Sequence, residues 1–261
     1  MTREWNATSY HKVSGPQTSW GQKVLARLEL GGDEHAVDAG CGSGRLTGAL
    51  LDRLPAGRVT ALDRSWNMLQ TARANLRPAH GSRVGFVQVS LPAMPFHEAA
   101  DVVFSTATFH WVADHESLFS NIFTALRPGG RLHAQCGGGP NLAAAHAIAE
   151  AVMAEGPFAP YFADWDGVWQ FASDTETRAR LERAGFIDVE TNLEAAPTTF
   201  ETEADYREFV TTVIYHPHLA RLPDALKTRF IDEVTRQAGD QPDPFTLDYW
   251  RLNMQARRPP R

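Results

Sequence analysis

Residues 37–46 read Val-Asp-Ala-Gly-Cys-Gly-Ser-Gly-Arg-Leu, with three glycines at alternate positions directly after a short apolar run. Glycine alone leaves the main chain bare and free to take positive φ. Gly40, Gly42 and Gly44 therefore allow a buried strand to turn sharply into a helix while a small ligand lies against the backbone. The spacing narrows the ligand. A dinucleotide fingerprint G-x-G-x-x-G is absent, because the sixth position is Arg45 counted from Gly40 and Thr47 counted from Gly42. The G-x-x-x-x-G-K-[ST] of a phosphate loop is absent as well. An adenosine-bearing ligand without phosphates fits better: Val59-Thr60-Ala61-Leu62-Asp63 ends in a carboxylate about 20 residues on, where it can accept both ribose hydroxyls.

Around that turn the chain alternates strand and helix patterns, which predicts an α/β fold with a mainly parallel sheet and helices on both faces. Strands are expected at His35–Ala39, Arg58–Leu62, Val84–Val89, Asp101–Phe104, Gly130–Gln135, Gly185–Glu190 and Phe245–Ala256. Helices are expected at Ser19–Leu30, Thr47–Leu54, Ser65–Leu76, Glu116–Leu126, Leu142–Glu155 and Asp174–Ala184, with a helical block over 202–238. Pro55, Pro78 and Pro128 serve as stops. At 261 residues and 43% hydrophobic content the chain has enough material for one full core, so a single domain over 1–261 is expected. Within it, 1–30 form an N-terminal flap and helix, 31–137 a ligand-binding core, and 141–172 with 198–240 a helical lid.

Charge and cysteine content exclude several classes of function. With 25 basic and 31 acidic residues the formal charge is −6, which repels a polyphosphate backbone, so no nucleic-acid partner is expected. No apolar run reaches the length of a membrane span, and a cytoplasmic protein without a membrane partner is expected. The two cysteines, Cys41 and Cys136, form no C-x-x-C pair and read as small buried residues, so no metal is expected. No feature marks an oligomeric state.

Asp38-x-Gly40-x-Gly42-x-Gly44, then Asp63, then Leu126-Arg127-Pro128-Gly129-Gly130-Arg131-Leu132 resemble the class I S-adenosylmethionine-dependent methyltransferases. Trp5-Asn6-Ala7-Thr8-Ser9-Tyr10 and Phe104-Ser105-Thr106-Ala107-Thr108-Phe109-His110-Trp111-Val112 make the chain similar to their small-molecule branch, which includes the trans-aconitate methyltransferases. The resemblance covers residues 5–137 and fades beyond them. It implies a Rossmann-like sheet of seven strands in the order 3-2-1-4-5-7-6 with an antiparallel final hairpin. It implies S-adenosylmethionine as cofactor, a small-molecule acceptor, and cofactor contacts from Asp38, Gly40, Cys41, Gly42, Gly44, Asp63, Arg64, Met68, Ser90, Leu91 and Tyr10. At Ser90 the chain departs from the family, which commonly places an acid there for the adenine amino group. A hydroxyl accepts the same bond without charge, and charge-assisted bonds are about twice as strong.

Methyl transfer from a sulfonium is an in-line displacement that needs positioning and exclusion of water more than a catalytic dyad. His110 follows the fourth strand and is the candidate catalytic residue, as a general base for a hydroxyl acceptor or as a contact, since imidazole titrates near neutrality. Acceptor contacts are expected at Tyr10, His11, His110, Trp111, Trp165, Trp169, Tyr215 and His216, where aromatic surface would line a largely apolar pocket. O-methylation of a carboxylate or hydroxyl leads. Carbon or nitrogen methylation of a specialised metabolite stays open, as does a non-catalytic cofactor-binding protein. The absence of a [DN]-P-P-[YF] run after the fourth strand argues against base or amide nitrogen.

Overall fold

Strand residues that alternate between two apolar faces dictate helices on both sides of the sheet, and the computed structural model, which describes residues 15–261 and side chains from Ser19 onward, has that layered arrangement. Helix α1 (Gly15–Arg27) precedes β1 (His35–Ala39), followed by α2 (Arg45–Asp52), β2 (Arg58–Asp63), α3 (Trp66–His80), β3 (Val84–Gln88), β4 (Ala100–Thr106), α4 (His115–Ala125) and β5 (Leu126–Gly137). Next come α5 (Ala143–Met153), α6 (Asp174–Arg183), β6 (Ile187–Ala195), β7 (Thr198–Thr199), α7 (Glu203–Phe209), α8 (His216–Leu219), α9 (Asp224–Gly239), β8 (Thr246–Leu247) and β9 (Trp250–Arg257). A π-helical turn, Val210–Ile214, joins α7 to α8.

The main sheet has seven strands in the order β3-β2-β1-β4-β5-β9-β6. Since β7 and β8 form a separate two-stranded sheet, this is the expected 3-2-1-4-5-7-6. Strands β1 to β5 pair in parallel, and β9 runs antiparallel to β5. Val37, Val103 and Leu132 face one apolar core with Leu118, Phe119 and Ile122 of α4. Ala36, Val102 and Phe104 face the other, with Leu50 and Leu51 of α2 and Leu69, Ala72 and Leu76 of α3. Strand order reverses between β1 and β4, and in such sheets the crevice for ligands opens beyond the carboxyl ends of the strands at that point.

Several element boundaries differ from expectation, among them the ends of α1, β5 and β6, and two of the differences have a clear local cause. Helix α3 does not stop before Pro78 but continues to His80. Pro78 lies in its last turn, where one intrahelical bond is lost but almost no helix follows to be kinked, and the end is held by Gly81 N–H donating to the Arg77 carbonyl and Arg77 Nη1 donating to Gly81 O at 2.9 Å. The strand expected over Phe245–Ala256 is two strands. Phe245 takes a positive φ of 53°, β8 pairs with β7, and the chain bends at Asp248 before β9 begins. Asp248 is committed to the start of α5: its carbonyl accepts Leu142 N–H at 3.0 Å and its carboxylate accepts Ala144 N–H at 3.0 Å.

The chain divides into two compact units. The first takes residues up to Gly139, Trp169–Glu194 and Arg251–Arg261 and holds the whole crevice; the second takes Pro140–Val168 and Ala195–Trp250. The second unit has its own aromatic core, in which Phe158 meets Phe230 edge-on at 5.5 Å and the His218 ring stacks on Phe230 at 5.7 Å. Among the described residues no helix is long and apolar enough to cross a membrane.

Candidate active site

The segments that leave β1, β2, β3 and β4 converge on one cavity of about 440 Å³, within the range of about 300–1,000 Å³ common for small-molecule sites. Its lining comes from Gly40 and Gly42 after β1, Asp63, Arg64 and Met68 at the end of β2 and start of α3, Val89–Pro92 after β3, and Thr106–Thr108 with Trp111–Asp114 after β4.

Gly42 sits at φ 53°, and a Cβ built on it would meet no protein atom within 4 Å. Its bare face is therefore open space for a ligand to occupy. Its N–H donates to Asp63 Oδ2 at 3.0 Å, and Ser65 N–H donates to Oδ1 at 2.8 Å. Two main-chain donors thus aim the Asp63 carboxylate, which keeps lone pairs for two further hydroxyls. Burial raises its pKa against the pull of those N–H groups. Gly40 is required for a different reason: a Cβ there would lie 2.2 Å from Thr108 Oγ1, so the β1 turn and the β4 exit can touch only through a bare backbone.

Of the residues expected to contact cofactor, Gly40, Gly42, Asp63, Arg64, Met68, Ser90 and Leu91 line this cavity. Asp38, Cys41 and Gly44 stand behind it. Asp38 is 2% exposed and accepts the Thr47 hydroxyl at 2.6 Å; burial pushes it up to about 7. It braces the turn. Burial also pushes the Cys41 thiol up, and Gly44 packs on Leu76 and Ala72 of α3. Tyr10 and His11 lie outside the described residues. Val89, Pro92, Thr106–Thr108 and Val112–Asp114 are additional walls; all continue directly from strand ends already recognised, which is the signal that points to them.

His110 lies in a short helical turn, Phe109–Trp111, between two cavity-lining residues, Thr108 and Trp111. Gly137 N–H donates to its Nδ1 at 3.1 Å, so the neutral ring carries its proton on Nε2. Desolvation, then the Arg251 guanidinium, then His115 push His110 down to about 3. The expectation of a general base does not fit this ring: one nitrogen is engaged, the other already holds its proton, and the imidazolium is strongly disfavoured. His115 is structural, its Nε2 donating to the Phe109 carbonyl at 3.0 Å.

Four rings gather here. His110 lies 5.3 Å from Trp111 and 5.8 Å from Phe171, Trp111 lies 5.7 Å from Trp169, and Trp169 stacks on Phe171 at 6.4 Å. Gln170 N–H donates to the His110 carbonyl at 2.8 Å and ties the two segments together. Trp165, Tyr215 and His216 belong to the second unit. Tyr215 is fully buried there and donates its hydroxyl to the Ala145 carbonyl at 2.9 Å, so its side chain is spent on that unit's core. Trp165 packs against Phe162 and His218 under the Arg221 guanidinium, and His216 opens α8. Among the described residues no group of His, Cys, Asp and Glu has metal-binding proximity.

A family model described as a methyltransferase domain matches residues 36–130, the strands and turns that build the cavity. A trans-aconitate 2-methyltransferase of Variovorax paradoxus is 30% identical over 257 residues, 95% of this chain and 94% of that one. The chain belongs to the class I S-adenosylmethionine-dependent methyltransferases. A second protein of the same name, from Paracidovorax citrulli, is 40% identical over 134 residues, a match that spans 51% of the methyltransferase and 50% of that relative. The Haemonchus contortus phosphoethanolamine N-methyltransferase 2, solved with phosphomonomethylethanolamine and S-adenosylhomocysteine, shares the fold at 19% identity and a TM-score of 0.62, covering 98% of the methyltransferase and 57% of that chain. S-adenosylmethionine is the cofactor of this family, and the donor set here fits it. Asp63 offers a carboxylate suited to a ribose, the open face of Gly42 admits a close ligand, and Val89, Leu91 and Pro92 give the wall after β3 an apolar lining suited to a base.

Proposed function

We propose that the methyltransferase esterifies a carboxylate of a small organic acid of the trans-aconitate type. The observation that carries this reading is the hydrogen bond from Gly137 N–H to His110 Nδ1: it occupies the ring's acceptor, and burial lowers the pKa besides, which makes the ring a poor base for an alcohol or phenol. A carboxylate needs none, because it is ionised at neutral pH. The name printed for the relatives in Variovorax and Paracidovorax points the same way.

S-adenosylmethionine supplies a methyl group on positively charged sulfur. In an in-line attack a carboxylate lone pair forms the new O–C bond while the C–S bond breaks and its electron pair stays on sulfur, so no proton is transferred. The protein's part is then placement. Gly42 and Asp63 hold the nucleoside, Ser90 and Leu91 border the base, and the turn Thr106–Thr108 with Trp111 walls the reacting end against water. Contacts from Tyr10 and His11 to the acceptor belong to the same proposal.

The test incubates the protein with methyl-labelled S-adenosylmethionine and trans-aconitate and analyses the product by mass spectrometry. A base-labile methyl ester is expected. A label found on carbon or nitrogen, or transfer to phenols but to no carboxylate, overturns the reading.

A further inference from the structure

The segment Leu126–Leu132 opens β5 on the edge of the sheet opposite the crevice, and cofactor binding makes no use of it. There Pro128, Gly129, Gly130 and Arg131 form one side of a second cavity, of about 450 Å³. Asp101 at the start of β4, Arg257 at the end of β9 and Pro260 complete its lining. All seven residues belong to the first unit.

Two of them are guanidinium groups set against each other. Arg131 and Arg257 stand directly opposite in the antiparallel β5–β9 ladder. Arg258 N–H donates to Gly130 O at 2.8 Å, the bond that flanks this pair, so the pair itself is of the kind without main-chain bonds, whose side chains approach most closely. Like charges placed in this way repel. The nearby carboxylates are already engaged. Both oxygens of Asp101 accept Arg127 Nη1, at 2.6 and 2.7 Å, and one also accepts His35 N–H at 2.9 Å. Glu34 accepts the N–H groups of Gly31 at 2.6 Å and Gly32 at 2.8 Å, and meets Arg131 at the longer distance of 3.4 Å. Arg257 forms no ion pair among the described residues; its Nε donates to Gly129 O at 3.3 Å. Gly129 has a φ of 81°, and a Cβ built on it would lie 3.8 Å from Arg257 Nη2, so the turn adds no side chain beside that nitrogen.

We infer that this cavity binds a small phosphorylated metabolite, its phosphate bridging Arg131 and Arg257, at a site separate from the methyl-transfer crevice. One guanidinium fork satisfies the two oxygens of a carboxylate. A phosphate monoester is close to dianionic near neutral pH and has three terminal oxygens, enough to accept from two forks at once. The cavity is of small-molecule size and larger than a bare ion needs, and Pro128 and Pro260 offer uncharged walls to the rest of the ligand. Occupancy cancels the repulsion within the ladder and clasps the end of β9 to the start of β5. The inference is independent of which acceptor is methylated.

The experiment titrates glycerol 3-phosphate and glycerate, its carboxylate counterpart, into the full chain by calorimetry at low salt, with S-adenosylhomocysteine saturating the crevice. The wild type is expected to bind glycerol 3-phosphate at submillimolar concentration, and Arg257→Gln and Arg131→Gln should each weaken that binding by about tenfold or more. Affinity for S-adenosylhomocysteine should be the same in all three proteins. Absence of glycerol 3-phosphate binding by the wild type, or binding unaltered in Arg257→Gln, overturns the inference. Glycerate bound as tightly, with the same dependence on Arg257, overturns the assignment of a phosphate.

Thermal unfolding separates a ligand site from a structural pair. Without phosphate, Arg257→Gln should unfold no earlier than the wild type, because a repulsion has been removed; with glycerol 3-phosphate only the wild type should gain in Tm. An equal gain in both proteins overturns the inference. Should the variants fail to fold, labelling of the wild type by phenylglyoxal decides. Glycerol 3-phosphate is expected to slow modification of Arg131 and Arg257 by about fivefold or more, and to leave the exposed Arg73 of α3 unprotected. Equal rates at all three arginines with and without the phosphate overturn it.

Discussion

Asp63 takes the N–H of Gly42 on one carboxylate oxygen at 3.0 Å while its other oxygen takes the N–H of Ser65, so the acid that ends β2 also sets the curvature of the turn that ends β1. Ligand contact and loop shape meet in one side chain. Asp63→Asn preserves the size but replaces an acceptor for two main-chain donors by an amide. It is expected to weaken S-adenosylhomocysteine binding by about 1.5–3 kcal/mol, or roughly 10-fold to 150-fold, measured by calorimetry. Affinity within threefold of wild type would remove Asp63 from the cofactor site.

Gly40 and Gly42 should respond differently to the same change. Gly42→Ala places a methyl in open space, so the expected result is a large loss of cofactor affinity with a stability loss of about 1–2 kcal/mol from the strained φ. In Gly40→Ala the new methyl collides with the Thr108 side chain, and thermal unfolding should show the larger fall in Tm. Equal falls in Tm with cofactor affinity preserved in both variants would contradict the assignment of the open face.

Restoring the missing acid after β3 should tighten adenine binding. Ser90→Asp is expected to raise affinity for S-adenosylhomocysteine by about fivefold to tenfold and to leave its inosine analogue, which lacks the amino group, unimproved. Equal gains for both nucleosides would mean that residue 90 does not read the base.

Acid sensitivity follows from the buried histidines. His110 and His218 are held near 3 and His133 near 4, all below the value of about 6.5 for an unfolded chain. Between those limits the unfolded chain binds protons that the folded one does not, so stability rises as pH climbs from about 4 to 6.5 and is lost as pH falls through that window. Asp38, raised to about 7, opposes this, because its folded form holds a proton that the unfolded form releases above about 4. Burial raises Asp63 in the same sense as Asp38, and it lowers His35, His115 and His146 alongside the other three rings, so six histidines against two carboxyls leave the acid-labile sense dominant. Urea unfolding at pH 4.5 and 6.5 should show the lower stability at 4.5, and His218→Asn should reduce the difference by about 1–2 kcal/mol. Identical stabilities at the two pH values would contradict the buried neutral rings.

The sheet and the glycine turn were readable because their causes are local: apolar runs of strand length, a bend that only glycine permits, an acid ending the next strand. Elements closed by distant partners were not. Nothing near Phe245 announces that Asp248 leaves the strand pattern to cap α5, since Leu142 and Ala144 lie more than a hundred residues away. His110 stood out by position, but its proton is set by Gly137, a neighbour in space across β5. Arg251 was hidden by its own strand: Arg251, Asn253 and Gln255 alternate with Leu252, Met254 and Ala256, the pattern of a strand wet on one face, although Arg251 is buried. Phe171 reads in the sequence as one of the aromatics that could line an acceptor pocket, and only the fold shows it meeting His110 and Trp169.

The bend at Asp248 also bears on how such a protein diversifies. Chain departs from the sheet after Gly139 and again at Ala195, and the two excursions are stitched to each other by Asp248 at Ala144 and by Tyr215 at Ala145. Neither excursion is self-sufficient, so exchanging this unit for that of a cousin would have to carry both stretches at once. A nick in one stretch should likewise leave the severed pieces clasped.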